Sequence, residues 1–219
     1  KFSDVVCLGN RTHKVLKLEI TTKDDDKVSQ RHELHGIKRI YEYFDNEDVP
    51  IITHAHDNNA SVTKFVREER QPTENAKDTW HVTKSINKEA KKIVSGSPAN
   101  EGKTWHSELS DKAVSLKTHV YWAMKNCGGD ADKLIASIDN CVAHYKDEHD
   151  NCSMTSRCKS DVPYAPSKTI ITDPVAEEIL FNFLHKLPVY REPDYYKYCI
   201  DTHYVESFNN ARSEERRVG

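Results

Sequence analysis

The sequence predicts an α/β fold with a helical segment set into it, and three observations carry that reading. Short apolar-alternating runs and helix-period runs follow one another as β-β-α-β-α-β-α over the first 95 residues. From about Ser95 the strand signals stop and only helical spacing continues. Close to the C-terminus, Asp173-Pro174 marks a fresh helix start, an Asx cap followed by proline at the first helical position.

Phe2 to Leu8 reads as a strand, and Gly9-Asn10 as the turn after it. Leu16, Leu18 and Ile20 alternate, which predicts an antiparallel partner over about His13 to Thr21. The charged run Lys23 to Lys27 is an exposed loop. Ser29 suits the cap of a helix whose Leu34, Ile37, Tyr41 and Phe44 share one face. A β-rich run from Val49 to Ala55 stops at His56-Asp57. Asn58 and Asn59 favour a turn or an N-cap, and Val62, Phe65 and Val66 then recur at helical spacing. Asp57 therefore stands at a strand-to-helix switch, where open α/β sheets place ligand chemistry. Glu74 to Lys77 repeats the pattern and leads through Asp78, Trp80, His81 and Lys84 into another helix.

Gly96 to Gly102 is loop-like. Trp105, Leu109, Val114, Leu116, Val120 and Met124 suggest helices, and Leu134, Ile138, Cys141 and Val142 line one face of a helix over Lys133 to Tyr145. Asp161 to Lys168 is a linker with two prolines. Val175, Ile179 and Phe183 give the stripe of the helix opened by Asp173, Pro188 closes it, and a last helix starting near Thr202 carries Glu206, Phe208 and Asn210. The expected organisation is residues 1–95 as the first part of the core, 96–165 as a helical insertion, 166–211 as C-terminal helices completing the core, and 212–219 as a charged tail of non-native character.

The chain of 219 residues has a net charge of −3 and a mean hydropathy of −0.78. No apolar run is long enough to span a bilayer, so no membrane partner is expected. No signal peptide opens the chain, and Lys1 in place of an initiator Met suggests a fragment or a processed form. The mildly acidic balance does not decide for or against nucleic acid. Local basic runs do speak to it, and Lys64, Lys84, Lys88, Lys91 and Lys92 are the candidate DNA contacts.

Three constellations could carry chemistry. Asp57 and Glu206, if they converge at a strand end, suit Mg²⁺ or Mn²⁺, because hard cations take oxygen ligands. The plainer alternative makes Asp57 a helix cap and Glu206 a solvated charge. Asp78 and His81 are spaced so that the carboxylate can orient the imidazole. Their alternative is a capping aspartate, a buried Trp80 and a satisfied histidine. His144, His149, Cys152 and Cys158 form a complete tetrahedral zinc set, with Cys127 and Cys141 as substitutes; the plainer alternative is surface histidines and reduced thiols. Clustered Cys with His and no secretion signal favours metal over disulfides, and an intracellular location.

These motifs, taken in order, resemble the catalytic core of Mutator- and Kolobok-like cut-and-paste DNA transposases. The block IITHAHDNNASVTKFV followed by KDTWHVTKSI carries the likeness: Asp57 matches the family's second aspartate, with His56 where Thr is usual, and Asp78, Trp80, His81 and Lys84 match its D-x-W-H-x-x-K segment. Glu33 to Gly36 is similar to an M-E-x-x-G helix with His32 in place of Met, and Tyr204 to Asn209 to an L-E-S-F-H-N run whose glutamate, Glu206 here, is the third metal ligand. Trp122, Cys127, Gly129 and Asp130 match a W-x4-C-x-G-D segment of the family's helical insertion, as does the His144-to-Cys158 cluster. The resemblance implies an RNase H-like mixed sheet flanked by helices, metal-dependent DNA cleavage and strand transfer, and work in the nucleus. It also implies a first catalytic aspartate on a preceding strand that this sequence does not match; Asp4 is nearby but outside the motif. The expectation is thus a core lacking its first strand, inactive as it stands. The alternative is a non-catalytic, zinc-stabilised DNA- or protein-binding module.

Overall fold

The computed structural model describes residues 2–161 and 163–218, with the backbone only at Phe2 and over 215–218. Gly219, the end of the charged tail, lies outside the described residues. In chain order the elements are β1 (Phe2–Leu8), β2 (Val15–Thr22), α1 (His32–Asn46), β3 (Thr53–His56), α2 (Ala60–Glu69), β4 (Glu74–Lys77), α3 (Thr79–Val94), α4 (Ala113–Asn126), α5 (Ala131–Tyr145), α6 (Arg157–Ser160), α7 (Pro174–Lys186), α8 (Pro188–Arg191) and α9 (His203–Val218). They fall into two compact units, 1–80 with 200–219, and 81–199. The anticipated boundaries near residues 95 and 165 both lie inside the second unit.

In the first unit, β1 and β2 form an antiparallel hairpin in which Phe2 faces Thr22 and Leu8 faces Val15. The turn closes through Gly9 N–H to Lys14 O at 3.0 Å. β3 and β4 pair in parallel, with Thr53 opposite Glu74 and His56 opposite Lys77. The described residues make two separate two-stranded sheets, one antiparallel and one parallel. β3 is also shorter than the apolar run suggested. Val49 donates its N–H to Phe44 O at the end of α1, and Pro50 has no N–H to give a ladder, so pairing begins only at Thr53.

α1 covers the hairpin because Gly36 lets it approach. A methyl at Gly36 would lie 2.5 Å from Val5 Cγ2. Ile37 and Tyr41 pack with Val62, Phe65 and Val66 of α2, with Val5, Leu34 and Ile51 around them. Ser29 does not cap α1; it sits in a short 3₁₀ turn before it, and Arg31 at the cap position makes no side-chain bond. His32, where the family resemblance expects Met, is buried between Ser3 Oγ at 3.2 Å and Asp26 O at 2.7 Å. α9 is held to the hairpin by Arg212 on Asp4 at 3.3 Å and by Tyr204 stacked on His13 at 3.8 Å.

The second unit is helical around one core of Ile86, Leu116, Val120, Leu134, Ile138, Leu180 and Leu184 with their neighbours. Asp130 caps α5, accepting from Asp132 and Lys133 N–H, after Gly128 and Gly129 turn the chain at positive φ. Asp173 caps α7 as its sequence predicts, at 2.8 Å from Val175 N. The buried stripe of α7 is Ala176, Leu180, Phe183 and Leu184, not the Val175-led row: Val175 is 39% exposed. Lys112 is fully buried, and its ammonium is satisfied by Glu108 O at 2.7 Å, Asp111 at 2.9 Å and Thr169 O.

Candidate metal centres

The parallel register decides where the acidic residues go. Since His56 faces Lys77, the next pair along β3 and β4 is Asp57 and Asp78, both at the carboxyl ends of adjacent parallel strands. Asp78 continues the ladder through its N–H to His56 O at 3.0 Å. Its side chain is buried, and Oδ1 accepts from Trp80 N at 2.9 Å and Thr202 N at 3.2 Å. Thr79 ties the same strand end to Ile200 O through both its N–H, at 3.0 Å, and its hydroxyl, at 3.1 Å.

These bonds bring the 200–206 segment alongside. Thr202 donates its hydroxyl to Asp57 Oδ1 at 3.3 Å, and its carbonyl accepts from Glu206 N at 3.1 Å in the first turn of α9. Asp57, Asp78 and Glu206 each bring a carboxylate oxygen within 4.8 Å of the others. Asp57 is exposed and Glu206 half-buried, so their oxygens remain accessible. Three carboxylates this close repel one another unless a cation offsets the charge, and the all-oxygen donor set suits a hard divalent ion.

The plainer reading of Asp57 as a cap is excluded, because Asn59 caps α2, accepting from Ser61 N at 2.9 Å and Val62 N at 3.4 Å. Asp78 does act as a cap, and Trp80 is not buried but 41% exposed. His56 spans from Asp57 O to Asn75 Oδ1 at 2.9 Å and fixes the end of β3 against β4; burial lowers its pKa. His81 is exposed in the first turn of α3 and opens the second unit. Sequence reasoning missed Thr202, Asn75 and Glu33, which holds Asn59 at 2.8 Å. Glu33 carried a signal only as part of the M-E-x-x-G likeness and Thr202 only as a helix start, because their roles here exist through partners far along the chain.

The lysines are exposed. Lys64 on α2 lies 3.9 Å from Glu68, and Lys92 on α3 is 2.7 Å from Glu89. Lys84, Lys88 and Lys91 follow at helical spacing along one exposed face of α3.

In the second unit, His144, His149, Cys152 and Cys158 bring one ligand atom each within 4.8 Å of one another. Cys152 Sγ is 3.4 Å from His144 Nδ1 and 3.8 Å from His149 Nδ1. A tetrahedral zinc with usual Zn–S and Zn–N bonds has an S···N edge of about 3.6 Å, between those two distances. Burial pushes the Cys152 thiol up, with Cys158 adding to the effect, and burial lowers His144. Cys127 and Cys141 do not join this cluster. Both are buried in the core, and burial drives the Cys141 thiol up to about 12.

A family model described as Mutator-like transposase matches residues 11–158. The match includes Asp57, Asp78 and His81 and ends on Cys158, the last residue of the Cys/His cluster. Among curated proteins and solved structures, none matches the chain.

Proposed function

The chain belongs to the Mutator-like transposase family, and from that premise we propose that its first unit is the divalent-cation site of a DNA-cleaving and strand-transferring core. The observation that carries this reading is the convergence of Asp57, Asp78 and Glu206 within 4.8 Å at the carboxyl ends of two parallel strands. Asp57 and Glu206 hold Mg²⁺ or Mn²⁺ through accessible oxygens. Asp78 accepts from two backbone N–H groups through Oδ1 and so sets the strand end. A bound ion supplies Lewis acidity at a phosphodiester and lowers the pKa of an attacking water. The protein's part is to hold the oxygens in place and shape the strand end. Lys84, Lys88 and Lys91, together with His81, present the DNA contacts of the second unit, and Lys64 presents one of the first. We propose the nucleus as the place of this work.

On this reading the two small sheets are halves of one RNase H-like sheet, with a strand carrying the family's first aspartate between β1 and β3. None of the four described strands fills that place. The family's first aspartate is thus missing from the three carboxylates gathered here, which suit a single ion rather than a two-ion clamp. We therefore propose that this chain binds the ion but does not turn over. The second unit carries a structural Zn²⁺ on His144, His149, Cys152 and Cys158, a closed four-ligand set of the non-catalytic kind.

Calorimetric titration with Mn²⁺ tests the first centre. Binding is expected for the parent chain and should disappear in Asp57→Asn. A nicking assay on duplex DNA with Mn²⁺ should show no product, and clear turnover would overturn the inactivity. A second reading is favoured by the Cys/His cluster lying wholly in its own compact unit: a zinc-stabilised DNA- or protein-binding module. Zinc binding without Mn²⁺ binding would select it.

A further inference from the structure

We propose that Asp147 is the positioning residue of the zinc centre, the carboxylate that turns His149 so that Nδ1 faces the metal. This rests on the zinc reading of the cluster given above. The first support is backbone conformation. Asp147 has φ +66°, just beyond the end of α5, where its N–H reaches His144 O at 3.2 Å and Glu148 N–H reaches Ala143 O at 3.0 Å. This left-handed position at a helix C-terminus ordinarily goes to glycine, which adopts it without steric cost. Aspartate tolerates this conformation better than most side chains, as Asp48 does at φ +55° after α1.

The second support is where that side chain goes. Asp147 Oδ1 is 2.9 Å from His149 Nε2. A carboxylate can only accept, so the proton sits on Nε2 and the lone pair on Nδ1. That lone pair is on the side of Cys152, 3.8 Å from its Sγ, and His144 presents its own Nδ1 to the same sulfur at 3.4 Å. Both imidazoles thus offer the same nitrogen to one point beside Cys152. Tyr164 packs edge-on against His149 with ring centroids 5.2 Å apart and holds the plane of the ring from another side.

Backbone and side chain then make opposite demands, which gives the test. The full chain is compared with its Asp147→Gly, Asp147→Asn and His149→Ala variants, using zinc affinity by chelator competition, Co²⁺ absorption spectra, and thermal unfolding of the metal-free form. Asp147→Gly should unfold no lower than the parent, because glycine relieves the left-handed backbone. It should nevertheless bind zinc about 10–100-fold more weakly, as loss of an orienting carboxylate does, and its Co²⁺ spectrum should lose tetrahedral intensity. Asp147→Asn, which keeps an acceptor without the charge, should fall between. Undiminished zinc affinity in both Asp147 variants would overturn the proposal and reduce Asp147 to a turn residue, with the zinc centre intact. A parent chain that binds no zinc, or a His149→Ala variant that binds it as tightly, would overturn the zinc reading and this inference with it.

Discussion

Thr202 and Asp57, 145 positions apart in the chain, are joined by a hydrogen bond of 3.3 Å. The same threonine gives its backbone N–H to Asp78 at 3.2 Å, so one residue positions two of the three converging carboxylates. The two bonds separate in mutants. Thr202→Val removes only the hydroxyl; stability should fall by at most about 1 kcal/mol, while Mn²⁺ affinity should fall several-fold as Asp57 loses its tether. Asp78→Ala leaves Thr202 N and Trp80 N without their acceptor and should cost about 1–3 kcal/mol, read by urea denaturation. Equal stability losses in the two variants would show that the hydroxyl carries more of the fold than its single bond suggests.

Acid should unfold the first unit earlier than its carboxylates alone would require. His54 is held down to about 3 by burial, with His56 beside it adding to the effect, whereas an unfolded histidine titrates near about 6.5. Between those values the unfolded chain binds a proton that the folded one does not. Stability is therefore complete above about pH 6.5 and is lost as pH falls, by at most about 1.4 kcal/mol per pH unit for each such histidine. His54→Asn keeps a partner for the Tyr41 hydroxyl, which lies 3.1 Å from Nδ1, and should flatten the slope between pH 6.5 and 4.5 in denaturation curves.

The lysine face of α3 should govern salt dependence. If Lys84, Lys88 and Lys91 contact phosphates, replacing all three by Gln should lower the slope of log affinity against log salt by about 2–3 on duplex DNA. Fluorescence anisotropy from 50 to 200 mM salt measures this. An unchanged slope would move the DNA contacts off this face.

Gly36 is a packing requirement, not a flexible joint. A methyl there would meet Val5 Cγ2 at 2.5 Å and Val5 Cβ at 2.8 Å, so Gly36→Ala should cost about 1–3 kcal/mol as overpacking. Val5→Ala in the same chain should recover part of the loss in thermal unfolding, since it removes the atoms that clash.

Much of the local structure was legible in the residues themselves. The strand Phe2–Leu8, the Asn59 and Asp173 caps and the buried face of α5 all follow from signals a few residues apart: alternation, an Asx before apolar spacing, a proline at the first turn. Errors came where a competing backbone bond or the rotation of a helix decided the outcome. Val49 reads as strand, but its N–H is taken by Phe44 O. Val175 reads as core, but α7 is rotated to bury Ala176 and Leu184 in its place.

By itself the sequence determined which chemistries were on offer: an aspartate ending each of two strands, a glutamate on a late helix, and a Cys/His set with zinc-like spacing. Spacing along a chain fixes what lies on one helix face or at one strand end, because those relations are local. Only the tertiary structure decided that the Asp57 and Asp78 strand ends sit side by side, through the parallel register of β3 and β4, and that Thr202 ties both to Glu206. It also formed two separate two-stranded sheets and set Cys127 and Cys141 apart from the Cys/His cluster. Register, helix rotation and burial are settled by which distant groups satisfy one another's hydrogen bonds and apolar surface, and that competition leaves no mark at any single position.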